Sequence, residues 1–116
     1  MPFFDGYAQL NEVKDISSRL TVSSGWVVTG RKCGKLVTLV FYTDNDITSY
    51  NNYTTVCTLP SDLRPAMFVR FTAYDNKATT ANCMVVGTVN NVNGNMNVWT
   101  YYANTRPSGC VEFLVD

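Results

Sequence analysis

The stretch Leu36-Val37-Thr38-Leu39-Val40-Phe41-Tyr42 alternates, with Val37, Leu39 and Phe41 falling on one face. Side chains of a strand point alternately to its two sides, so this spacing predicts a β-strand with one buried face. Before it, Trp26-Val27-Val28 leads into the turn-forming run Gly30-Arg31-Lys32-Cys33-Gly34, which makes the pair a hairpin. The same pattern continues downstream. Residues 53–59 read as a strand, and in residues 67–74 Met67, Val69, Phe71 and Ala73 alternate with Phe68, Arg70, Thr72 and Tyr74, giving one core face. Segments 81–92 and 95–103 flank Asn93-Gly94, a dipeptide that tolerates positive φ and marks hairpin turns. In the last segment Val111, Phe113 and Val115 alternate with Glu112 and Leu114. Short strands separated by turns, with no crossover helices, predict an all-β domain. The expected form is an antiparallel β-sandwich, jelly-roll-like, with an eight-stranded barrel as the alternative.

The region before residue 20 reads differently. Tyr7, Leu10, Val13, Ile16 and Leu20 recur every three or four positions among polar residues, which suits a short amphipathic helix or shoulder. This divides the chain into a leader, residues 1–19, and a β-sandwich head, residues 20–116.

Composition bounds the function. The chain has 116 residues, 46% apolar and 16% charged, which fits one folded domain and excludes a disordered one. Its formal net charge is zero and it has no basic run, so no feature attracts a nucleic acid. No segment approaches the ~20 apolar residues of a spanning helix, and the first residues lack the pattern of a signal peptide, so membrane insertion and signal-dependent secretion are not expected. Cys33, Cys57, Cys83 and Cys110 lie far apart, and histidine is absent, which argues against a metal site. They read as small buried thiols kept reduced, with one or two disulfides as the alternative.

Catalytic signals are sparse. Without histidine the usual triads are excluded. Carboxylate pairs could come from Asp44 and Asp46, or from Asp75 facing Glu112, but Asp44-Asn45-Asp46 has the composition of a turn that bonds its own backbone. Asn52-Tyr53-Thr54 matches a glycosylation sequon that an Asn- and Thr-rich chain produces by chance. The residues themselves thus give little support to catalysis and none to a metal. Aromatic and amide residues do cluster: Tyr50 to Tyr53, Tyr74 to Lys77, and Trp99 to Arg106. Aromatic rings cover the C–H faces of a sugar while amides and Arg bond its hydroxyls, although the same residues also build cores and interfaces.

Thr58-Leu59-Pro60-Ser61-Asp62-Leu63-Arg64-Pro65 interrupts the strands with two prolines, each removing a donor and holding its predecessor extended. It reads as a stiff corner between sheets, which Arg64 could brace through backbone carbonyls or across a protomer boundary. Together with Leu20-Thr21-Val22-Ser23-Ser24-Gly25-Trp26, Gly34-Lys35-Leu36-Val37-Thr38-Leu39 and Gly109-Cys110-Val111-Glu112-Phe113, this corner resembles the C-terminal head domain of phage and prophage tail-fibre or baseplate receptor-binding proteins from phages of Gram-positive hosts. The resemblance covers residues 20–116. It implies a β-sandwich head that forms a homotrimer, binds a host cell-wall or surface saccharide, contacts other tail or baseplate proteins, and resides on the virion after folding in the bacterial cytoplasm. It implies no enzymatic activity and no cofactor. A structural tail or capsid-decoration protein without ligand binding is the alternative. Binding loops are expected at the end of the domain away from the leader, with Tyr74, Asp75 and Asn76 in one turn and Tyr101, Asn104 and Arg106 in another.

Overall fold

The structure, a computed structural model, describes residues 12–48, 51–76 and 84–116. Among these residues there are nine strands: β1 (Val13–Asp15), β2 (Thr21–Val22), β3 (Trp26–Cys33), β4 (Leu36–Thr43), β5 (Asn52–Thr58), β6 (Val69–Asp75), β7 (Met84–Val89), β8 (Asn95–Thr100) and β9 (Pro107–Leu114). All are antiparallel neighbours in one sheet of order β1-β3-β4-β9-β6-β7-β8-β5-β2. The all-β antiparallel expectation holds. Hydrogen bonds link the strands into a single continuous sheet.

That sheet is forced to curl. β2 lies at one edge and β3 next to the other, yet only Ser23, Ser24 and Gly25 separate them in sequence. Four Cα steps span at most ~14 Å, whereas seven strand spacings in a flat sheet would need ~34 Å. The edges therefore approach each other. Ser23 N–H donates to Val56 O at 3.0 Å, anchoring the turn to β5, and Trp26 N–H donates to Ser23 O at 3.1 Å as the chain enters β3. Val37, Leu39 and Phe41 of β4 lie on the concave side, at most 1% exposed, and meet Val111, Ala73, Val85, Val89, Met96 and Val98 there. The reading of residues 36–42 is correct residue by residue.

The hairpin before it is longer than expected. Gly30, Arg31 and Lys32 continue β3, and the turn is Gly34-Lys35, with Cys33 opposite Leu36. Residues 13–19, expected in a helix, form β1 and a 3-10 turn over Ser17–Arg19, because β1 pairs with β3 and Ile16 and Leu20 bury in the core. The remainder of the predicted helix, residues 1–11, lies outside the described residues. β6 starts at Val69; Met67, expected in the core, is 76% exposed.

The β7–β8 connection also differs. Asn93-Gly94 belongs to a five-residue turn from Asn90 to Gly94, closed by Asn90 N–H to Asn95 O at 3.0 Å and Gly94 N–H to Asn90 O at 3.0 Å. Asn90 Oδ1 accepts from the Val92 and Asn93 amides, so a side chain supplies the bonds that a two-residue turn would have made. Only Gly94 takes positive φ there, at 77°.

The proline-flanked corner carries the chain from β5 to β6 past the β7–β8 hairpin. Ser61–Leu63 makes one 3-10 turn, and Leu59 and Leu63 are fully buried. Arg64 donates from Nε to Leu59 O at 3.2 Å and from Nη1 to Val92 O at 2.6 Å, bracing the corner through carbonyls. Arg19 reaches the same corner with a bidentate bridge to Asp62, at 2.9 and 2.7 Å.

The described thiols do not share one environment. Cys57 is buried, and burial pushes its thiol up to about 12. Cys110 is exposed on β9, contrary to the buried reading; partial desolvation, and secondarily Glu112, raises its pKa. Cys83 lies outside the described residues.

Candidate functional site

Because every pairing is antiparallel, strand ends alternate, and the register sorts the connections to two ends. β4, β6 and β8 finish, and β5 and β9 begin, at one end. β1 enters at the other, where Val13 faces Cys33 and Leu36 faces Leu114. The first end therefore gathers the segments around residues 44–48, 75–76 and 101–106, away from the point where β1 joins the sheet. Both expected binding turns belong to this distal end.

Arg106 is its centre. Its backbone N–H donates to Asp75 Oδ1 at 2.8 Å, and its Nε donates to Asp46 Oδ1 at 2.7 Å. Asn76 N–H donates to Arg106 O at 2.9 Å, and Ser108 Oγ donates to Asn76 Oδ1 at 2.7 Å. The strands explain this meeting: Asp75 is the last residue of β6 and lies opposite Pro107, the first of β9. Arg106 and Asp46 keep 42% and 30% of their side-chain surface, so this ion pair stays in contact with solvent. A guanidinium has five N–H donors in one plane, so an accessible Arg106 anchored through Nε can still present donors to a ligand.

A backbone bridge holds the two flanking segments together. Ile47 N–H donates to Thr105 O at 2.8 Å, and Asn104 N–H donates to Ile47 O at 2.7 Å. Asn104 sits in the left-handed region at φ 62°, which Asn tolerates better than most residues. Thr105 is 5% exposed, and its hydroxyl has no hydrogen-bond partner among the described residues.

Of the expected site residues, Asp75, Asn76 and Arg106 thus join one hydrogen-bonded cluster, and Asn104 adjoins it through Ile47. Tyr74 is 70% exposed and points to the opposite face of β6 from Ala73; Tyr101 is 51% exposed just beyond β8. Neither ring has a described contact with Arg106. Sequence reading placed Asp46 in a self-bonded turn and missed its role as Arg106's partner. The only signal was an acidic residue in a loop, and 60 residues separate the pair.

The pairing of Asp75 with Glu112 considered from sequence does not form. Asp75 lies opposite Pro107, and Glu112 is five residues further along β9, ~17 Å away at strand spacing. Among the described residues no group of three or more His, Cys, Asp or Glu could hold a metal ion, and no helix is long and apolar enough to cross a membrane.

No family model and no curated protein matches the sequence. Solved structures do match. The receptor binding protein (gp15) of Listeria phage PSA aligns over 99% of this chain and 72% of its own, at 15% identity and a TM-score of 0.70. The head domain of the lactococcal phage bIL170 aligns over 90% of this chain and 100% of its own, at 12% identity and a TM-score of 0.59. The curled nine-stranded sheet described above is thus the fold of phage receptor-binding head domains.

Proposed function

We propose that the chain is a non-enzymatic receptor-binding head of a phage or prophage tail, which attaches to saccharide on the surface of a Gram-positive host as a homotrimer. One observation carries this reading: a receptor-binding protein shares the fold across 99% of the chain. In this reading the curled sheet serves as a sandwich-like, jelly-roll-like scaffold on the virion, with β1 directed toward other tail or baseplate proteins. The distal cluster of Asp46, Asp75, Asn76, Asn104 and Arg106, flanked by Tyr74 and Tyr101, suits hydroxyl-rich ligands because its donors and acceptors are oriented and solvent-accessible.

Self-association has its own support. The outer face of β3, β4 and β9 exposes Val27, Val40, Tyr42, Leu36 and Leu114, with Val13 of β1 and Tyr74 of β6 beside them. These apolar side chains flank a polar row of Arg31, Thr38 and Glu112, and another copy would cover them favourably; weak saccharide sites gain avidity when presented together.

The test is retention of the purified chain on host cells and purified cell-wall polysaccharide, with its mass measured by light scattering. Binding by a trimer supports the reading. A protein that ignores cells but binds another virion protein would instead be the structural tail or capsid-decoration component.

A further inference from the structure

The outward-facing side chains of β8 form a row that differs from the rest of the surface. Asn95, Asn97 and Trp99 point away from the core, since Met96, Val98 and Thr100 between them are at most 2% exposed. Each is oriented by its partner on β5. Thr58 Oγ1 donates to Asn95 Oδ1 at 2.9 Å, Thr55 Oγ1 donates to Asn97 Oδ1 at 2.8 Å, and Tyr53 meets Trp99 edge-on at 4.9 Å. The threonines occupy the amide oxygens, so the Nδ2 groups of Asn95 and Asn97 remain as donors, in line with the indole N–H and about 7 Å apart along the strand.

We propose that this row is a second saccharide-binding surface, on the face of the sheet, that takes an extended uncharged glycan. A sugar ring lies against the indole of Trp99 and the exposed ring of Tyr53, and its hydroxyl or acetamido oxygens accept from Asn97 and Asn95. The row itself carries no charge and little aliphatic surface, which disfavours a polyanion or an apolar protein partner and suits a ligand rich in neutral oxygens. Donors fixed in place before binding lose less entropy on complex formation, which gives the threonine ladder a purpose beyond sheet stability. The inference rests on the receptor-binding reading but places the ligand apart from Arg106.

The test is a microarray of uncharged oligosaccharides, including N-acetylglucosamine, galactose and rhamnose oligomers, probed with the intact chain and with host cells as a parallel arm. Asn97→Ala and Trp99→Phe should each weaken glycan binding roughly tenfold, while Lys35→Ala, in the β3–β4 turn, leaves it in place. Thr55→Val should weaken binding by releasing Asn97, with its thermal transition showing that it is folded. Trp26→Phe leaves Trp99 as the only indole, so its fluorescence should change on titration with the array's best ligand. If binding is abolished by Arg106→Ala and untouched by the β8 variants, this surface is not a saccharide site, although receptor binding stands. Host-cell binding without any glycan signal overturns the inference in the same way. A β8 variant that changes the oligomer mass assigns the face to another copy and also overturns it. Failure to bind either glycans or cells removes the receptor-binding reading as well.

Discussion

Phe71 lies directly over Gly87 on the neighbouring strand, where a Cβ at position 87 would come within 2.1 Å of its Cζ. The ring fills the volume that a side chain on β7 would take, and it also packs edge-on against Phe41 at 5.9 Å. Gly87→Ala should therefore destabilise the domain by about 1–3 kcal/mol through overpacking. Phe71→Leu in that background should recover part of the loss, a coupling that urea unfolding of the two single variants and the double variant would measure. Additive effects would show that the ring and the glycine do not depend on each other.

At the proline-flanked corner, Arg64 satisfies two carbonyls from separate segments, Leu59 O and Val92 O. Arg64→Met keeps much of the aliphatic stem while removing both bonds, and should cost about 1–3 kcal/mol in chemical denaturation. Gly94→Ala should act on the same corner more severely. A Cβ there would lie 2.4 Å from Leu59 O, and the residue already has φ +77°.

How much of this could be read from sequence depended on the range of the interaction. The alternation in residues 36–42 assigned the buried face of β4 correctly because burial on one side of a strand is a local property. The helix-like spacing of Val13, Ile16 and Leu20 misled because pairing with β3 overrode local periodicity. Asn93-Gly94 marked the correct hairpin but the wrong turn, since Asn90 supplies side-chain bonds that the dipeptide does not reveal. The distal cluster is partly legible: sequence singles out Asp75, Asn76, Asn104 and Arg106, but their union through β6–β9 pairing, and Asp46's part in it, requires the sheet order.

Thiol chemistry should separate Cys57 from Cys110. Cys57 is buried with its pKa pushed up to about 12, so it offers neither access nor thiolate at pH 8. Cys110 is exposed, and although its pKa is also raised it remains reachable. A thiol reagent followed by peptide mapping should modify Cys110 in the native protein and Cys57 only after denaturant is added. Labelling of Cys57 at the Cys110 rate would contradict the burial.

The Arg19–Asp62 bridge predicts a defined pH response. Its hydrogen bond from Arg19 holds the Asp62 carboxyl below its ordinary 3.8, while Asp15 is lowered chiefly by its hydrogen bonds from Ser17. A carboxylate depressed by folding contributes stability above its unfolded pKa and loses it as pH falls through the folded value. Stability should thus decline below about pH 4, and Asp62→Asn should shrink that decline. Both partners are solvent-exposed, so the change should be small and should fade in high salt. A thermal melt series from pH 7 to 2.5 at two ionic strengths would read it.

Val40 offers the sharpest test of self-association. It is 47% exposed at the centre of the outer face, between Thr29 on β3 and Cys110 on β9, with Tyr42 two residues along. A lysine there points into solvent in the monomer, so Val40→Lys should leave the circular dichroism spectrum and melting transition of the isolated fold close to those of the parent. In the proposed assembly the same ammonium would be trapped against apolar side chains, where an unpaired charge is costly. Light scattering should then report dissociation to monomers at concentrations where the parent stays assembled. A parent that is itself monomeric overturns the self-association reading, and an assembled parent whose mass the substitution leaves unchanged puts the contact between copies on another surface.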